Sequence, residues 1–276
     1  MLTLEARERR RAAALLAPAA LWTAAFFVLP FAVMAAVSLR QNGGWGFGNY
    51  LTFLGNPEYL GAFFNSLEIT LAVTLLSVLL AYPFAWIIAE VVPQRWRRLA
   101  LALAVVPFWT SYVVRSYAWA LVLAKQGVLN DALTGFGLPA LDLANSRAAV
   151  VLGFTHFFTM LLTLTIYASL VQLPPSLRRA AADLGAGPFA TFRHVILPLT
   201  LPGVAVGAFL TFALCIGDYV TPQILGGGKD LALPQLIMLQ LGRRADIPMA
   251  AAVSLILMAA VTLAYLATAR FMRPPA

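Results

Sequence analysis

Three residues stand out for the chemistry their positions allow. Glu68, Arg115 and Asp218 are ionisable, and each lies within or beside a long apolar run. A charge placed in hydrocarbon is costly, and so marks a candidate site by default. Carboxylates there replace water around a positive charge. Trp109, Tyr117, Trp119 and Tyr219, close by in sequence, add ring faces for cation–π contact. The competing reading is that Arg115 pairs with Asp218 or Glu68 simply to neutralise a buried charge. Trp and Tyr also collect at membrane interfaces without function. Other chemistry finds little support. Gly226-Gly227-Gly228-Lys229 looks like a phosphate loop, but no Ser or Thr follows Lys229. No Ser-His-Asp order, metal cluster or pair of catalytic carboxylates is visible. His156 and His194 are isolated and read as hydrogen-bonded histidines, and the single Cys215 builds no disulfide framework.

The elements that carry these residues follow from composition. Of 276 residues, 61% are apolar and 11% charged, against about 45–50% and about 25% in soluble domains. Charges are nearly absent from windows 12–39, 69–89, 99–124 (broken by Arg115), 148–177, 194–217 and 247–269. Each reaches the roughly 20 residues that cross about 30 Å of hydrocarbon. Strand-built barrels show short alternating segments instead. The fold class is therefore all-α, a polytopic membrane protein of six helices spanning about 14–39, 63–89, 99–124, 148–172, 196–221 and 248–271. Six spans make residues 1–276 a single transmembrane domain, with no room for a soluble enzyme domain. Prolines at 18, 30, 83, 107, 198, 202 and 222 predict kinks.

Arginine placement sets the orientation. The two ends and the loops after spans two and four hold twelve Lys or Arg, including Arg7, Arg9, Arg10, Arg11 and Arg273; the other loops hold six. The positive-inside bias puts both termini in the cytoplasm. The net charge of +8 is thus a topology signal, not a nucleic-acid footprint. Residues 12–39 are too long for the apolar part of a secretory signal and read as a retained first span. Counting rise per residue puts Glu68 about 8 Å below the outer end of its span. Arg115 and Asp218 lie about 24 Å and about 30 Å from the cytoplasmic side, so all three share the outer half. The outer loops 125–147 and 222–247 are either flexible connections or a docking surface, on which Arg243 and Arg244 would meet an acidic rim.

The cytoplasmic loop between spans four and five is the most informative stretch. Pro174-Pro175 ends one span, and Leu177, Ala180, Ala181 and Leu184 recur at helical spacing before Gly185 and Gly187-Pro188 stop the helix. The spacing predicts a short amphipathic helix over 175–187. Its small apolar face suits a protein groove better than a lipid surface, having too few large anchors for the latter.

Here the chain resembles binding-protein-dependent ABC importer permeases. Ala180, Ala181, Gly185, Val195, Leu197 and Pro198 match that family's cytoplasmic signature, whereas its usual Glu is Arg179 and its usual Ile is Val195. The resemblance implies a type I importer fold, with the short helix seated in a cleft of a cytoplasmic ATPase subunit. Leu177, Arg179, Ala180, Ala181, Asp183, Leu184, Gly185 and Pro198 then serve ATPase coupling. Two further runs, Pro107–Trp119 with Gly127–Asn130, and Cys215–Pro222 with Leu225-Gly226-Gly227, are similar to the spermidine/putrescine branch. A polyamine is a chain of ammonium groups and methylenes, so Glu68, Trp109, Arg115, Tyr117, Trp119, Asp218 and Tyr219 are the expected substrate pathway.

The resemblance implies these partners: two ATP-binding subunits that hold ATP and Mg, a second permease (identical or not), an extracytoplasmic solute-binding protein, and membrane lipid. This chain would be no enzyme and would carry no cofactor, in a bacterial inner membrane. Related permeases carry amino acids, iron, sulfate or sugars. An ion-coupled secondary transporter predicts inverted repeats, which residues 1–138 and 139–276 do not show. A membrane-embedded enzyme needs acid–base or metal groups gathered at one interface, where the sequence offers mainly arginines.

Overall fold

The structure, a computed structural model, describes residues 15–41, 43–228 and 231–272. The terminal arginines Arg7, Arg9, Arg10, Arg11 and Arg273, and Lys229, therefore lie outside the described residues. Among the described residues the helices follow in order: α1 (Leu15–Ser38), α2 (Gly48–Gly55), α3 (Pro57–Val91), α4 (Gln94–Trp109), α5 (Tyr112–Val122), α6 (Val128–Gly135), α7 (Arg147–Val171), α8 (Pro175–Asp183), α9 (Pro188–Gly217), α10 (Val220–Leu225), α11 (Leu233–Leu239) and α12 (Ile247–Phe271). One two-residue hairpin pairs Arg40–Gln41 with Gly44–Trp45. Helices α1, α3, α7, α9 and α12 are long and apolar enough to cross a membrane.

Contacts divide the chain into two units, residues up to Asn56 with Ile237–Ile256, and Pro57–Leu236 with Leu257 onward. In the first, α1 is apolar on every side and exposed, as expected of a helix solvated by lipid. A wide turn at Ala24–Val28 precedes Pro30, which has no N–H to return to the carbonyl four residues back. The end of α1 is tied to α2 through Ser38 Oγ and Tyr50 OH, 2.7 Å apart.

In the second unit, α3, α7 and α9 pack into a core of small and branched residues: Ala81 and Ala85 of α3, Leu162 and Ile166 of α7, and Ile196 of α9. Gly203 and Gly207 let α9 approach α7 closely. A Cβ at 207 would stand 2.3 Å from Thr165 Oγ1 and 2.7 Å from Leu162, and one at 203 would overlap Ser169. This is the small-residue packing of membrane helices, where no water drives association. Tyr82 OH and Thr200 Oγ1, 2.9 Å apart, link α3 to α9.

Two of the expected spans are broken. Residues 99–124 do not form one straight helix, because α4 and α5 meet at 89°. Pro107 sits in a tight turn over Val106–Trp109, and Thr110 and Ser111 are extended before α5 begins. The fifth span stops at Gly217, and Asp218 is extended. Pro222, four residues on, cannot donate to the Asp218 carbonyl, so the helix restarts as α10.

The flexible-connection reading of the outer loops is corrected. Asn130, 2% exposed, donates to Ala124 and Leu141 carbonyls and accepts from Leu141 N at 2.8 Å, pinning residues 124–141. Leu225, Leu233 and Leu236 are buried. Ser66 Oγ accepts from Leu233 N at 2.6 Å. Alternating apolar and polar residues in short helices gave these segments the composition of loops.

Candidate functional site

The short helix expected between spans four and five forms as α8. Its exit is a Schellman motif: Ala186 N donates to Ala181 O and Gly185 N to Ala182 O, with Gly185 at φ +80°. Leu177, Arg179, Ala180, Asp183 and Leu184 face outward, Leu184 with 88% of its surface exposed. The apolar face is narrower than the sequence pattern implies, because Ala181 turns inward at 7% exposure. Pro198 is exposed just after the wide turn Phe192–Ile196 inside α9.

Beside Ala181, Arg178 also turns inward. Its guanidinium grips the Glu90 carboxylate with two nitrogens and lies 5.6 Å from the Trp86 ring. The carboxylate pushes the Arg178 pKa above its ordinary value, chiefly through these hydrogen bonds. Phe192 packs edge-on against Tyr82 and Trp86, with centroids 5.6 Å apart in both pairs. The loop that carries α8 is thereby seated on the end of α3 and the start of α9. Glu90 was missed because it stands just past an apolar window and reads as that window's boundary. Its signal was its being the one acidic residue between spans two and three.

The outer residues separate into two groups. Glu68 and Trp119 line a groove of 1080 Å³ between α3, α4 and α7, whose walls are mainly aliphatic (Leu76, Leu79, Leu80, Leu103). Glu68 is largely exposed and pairs with Arg147 at 2.7 Å. Thr155, Thr159 and Thr163 recur every four residues along the α7 wall. Next to them, His156 Nδ1 accepts a 3.3 Å hydrogen bond from Trp119 Nε1. Trp109, Tyr117 and Tyr219 are exposed and not among the groove's lining residues.

Arg115 and Asp218 serve the broken spans instead. Arg115 is 9% exposed, donates to the Pro107 carbonyl at 3.0 Å and lies 4.3 Å over Phe157, which in turn stacks on Phe108. Asp218 accepts from Val220 N at 2.8 Å and from Thr221 Oγ1 at 2.7 Å, capping α10. Neither expected ion pair, Arg115 with Glu68 or with Asp218, is made: Glu68 reaches Arg147, and both Asp218 oxygens meet backbone or hydroxyl. Arg147 had been counted only for topology. It stands directly before span four and Glu68 lies five residues into span two, at the same outer end, which was a usable signal.

This arrangement, a short exposed helix joining apolar helices that are interrupted near proline, coincides with a family match. Residues 71–273 match the binding-protein-dependent transport system inner membrane component family. The chain belongs to this family. The permease is 38% identical to the inner membrane ABC transporter permease protein YdcU of Escherichia coli over 74% of its length and 69% of that protein's. It is 32% identical to the spermidine/putrescine transport system permease protein PotB of Haemophilus influenzae, over 88% of its own length and 89% of the relative's. Its fold matches that of a bacterial alginate ABC transporter solved with a periplasmic protein, at TM-score 0.79 and 17% identity, covering 99% of this chain and 98% of that one. The permease is thus a multi-pass inner-membrane component of an ABC importer with the type I fold, as the loop signature implied.

Proposed function

We propose that the permease forms one half of an ATP-driven import pore for polyamines such as spermidine and putrescine. The observation that carries the coupling is the exposed face of α8, where Leu177, Ala180 and Leu184 stand free for a partner groove. Two ATP-binding subunits, which supply the ATP and Mg sites this chain lacks a motif for, close together in the cytoplasm. One of them holds α8. A second permease completes the pore, a solute-binding protein delivers at the outer segments, and both termini lie in the cytoplasm.

The polyamine assignment is supported by the spermidine/putrescine relative, similar over nearly the whole chain, and by the acidic and aromatic groups of the outer half. Glu68 and Trp119 meet the solute along the groove, and Trp109, Tyr117 and Tyr219 present exposed ring faces outside it. Arg115 and Asp218 hold the backbone that shapes this route. Because Glu68 is shared with Arg147 and Asp218 is already bonded, the pore contributes little affinity of its own, and the delivering protein sets most of the selectivity.

The test is uptake of radiolabelled putrescine and spermidine into proteoliposomes holding the purified complex with ATP inside. ATP-dependent accumulation of either, competed by the other, is expected. ATP-driven accumulation of an amino acid or a sugar, with neither polyamine transported, would replace polyamine by that solute. Accumulation driven by an ion gradient without ATP would overturn the importer reading.

A further inference from the structure

Helix α8 is joined covalently to α7 before it and α9 after it, but not to α3. Yet α3 supplies one wall of the groove, from Glu68 down to Phe84. Any displacement of α8 reaches that wall directly only through noncovalent contact. Among the described residues, Arg178–Glu90 is the one ion pair made by α8. Its two side chains are 30% and 23% exposed, so water screens them only partly. Glu90 lies in the wide turn Ile87–Val91 that ends α3, where the hydrogen bonds run five residues back. Such turns are often found at functional sites. The two-pronged guanidinium–carboxylate geometry fixes direction as well as distance.

We propose that the Arg178–Glu90 pair is the link that makes α3 follow α8, so that Arg178 and Glu90 are positioning residues for transport. The covalent connections lead into α7 and α9, which themselves pack on α3; the ion pair adds a direct, directional connection from α8 to the end of α3. The Trp86 ring under the guanidinium and the Phe192 edge beside it keep the link oriented, and Glu90 transmits it to the groove wall. This rests on the reading that an ATPase grips α8.

The experiment uses the intact complex in proteoliposomes, with putrescine as the probe, and compares wild type with E90Q, R178Q and the charge-exchanged double variant E90R/R178E. The quantity read is solute imported per ATP hydrolysed, at equal amounts of assembled complex. E90Q and R178Q are expected to lower that ratio roughly five-fold or more, while ATP hydrolysis continues. The double variant is expected to recover part of the loss. A purely structural role would reduce assembly, or both rates together, and leave the ratio unchanged. An unchanged ratio in E90Q would overturn the proposal. If E90Q fails to assemble, E90D, which keeps the charge but shortens its reach, is read in the same way. Absence of ATP-dependent uptake by the wild-type complex would instead overturn the functional reading beneath it.

Discussion

At the scale of single residues, the charges at the span breaks hold backbone together. Arg115 and Asp218 stand at the two places where a span is interrupted, and each bonds groups that the interruption frees. Membranes tolerate broken helices only where such groups are satisfied. Arg115→Met should loosen the α4–α5 elbow and cost about 1–3 kcal/mol, the usual range for an unsatisfied buried partner, read as a lower thermal midpoint of the purified permease. Asp218→Asn removes one of two acceptors for α10, so the thermal midpoint should fall while apparent uptake affinity stays close to wild type. A large rise in KM without loss of stability would instead make Asp218 a solute contact. Gly185 is a case where space and conformation disagree. Nothing lies within 4 Å of an added Cβ, but φ is +80°. Gly185→Val should therefore cost about 1–2 kcal/mol from the left-handed backbone alone, turning the exit of α8 and reducing uptake more than insertion. For Arg178 the raised pKa means its contribution is complete below the guanidinium's ordinary value and lost only as pH rises through the raised one. Solute per ATP should then be flat from neutral to mildly alkaline pH.

At the scale of elements, periodicity and composition made most of the architecture legible. Five long helices and α8 follow from apolar length, Pro175, the Leu177–Leu184 spacing and Gly185. The elbow between α4 and α5 was not legible as such, since Pro107 announces a kink but not one of 89°. That angle depends on Thr110 and Ser111 going extended and on Arg115 reaching back, which are tertiary facts. Nor was Glu90 legible as a partner of Arg178, because the two stand 88 positions apart. The outer segments were misread because their polar side chains are spent on backbone: Asn130 bonds backbone 11 positions on, and Ser66 receives backbone N–H from 167 positions away, whereas composition alone reports only that they are polar. The α7–α9 contact makes a prediction of its own. Gly207→Leu would drive a side chain into Thr165 and Leu162, forcing the two helices apart. The yield of monodisperse permease on size exclusion should fall sharply, and Gly207→Ala should fall between the two.

At the scale of the whole molecule, the proposed import cycle requires α8 to lie on the side where ATP is hydrolysed, which is also the side the arginine bias predicts for it. The central claim is that α8 is a lever held by an ATP-hydrolysing companion. Cys215 is the sole cysteine and is buried, so a cysteine-directed photo-crosslinker placed by Leu184→Cys labels one position. In the assembled, transporting complex this label should capture the ATP-binding subunit, while the same label at Phe136→Cys, a position 85% exposed between α6 and α7, should not. A complex that imports solute at full rate while the label at 184 captures no ATP-binding subunit would contradict the account.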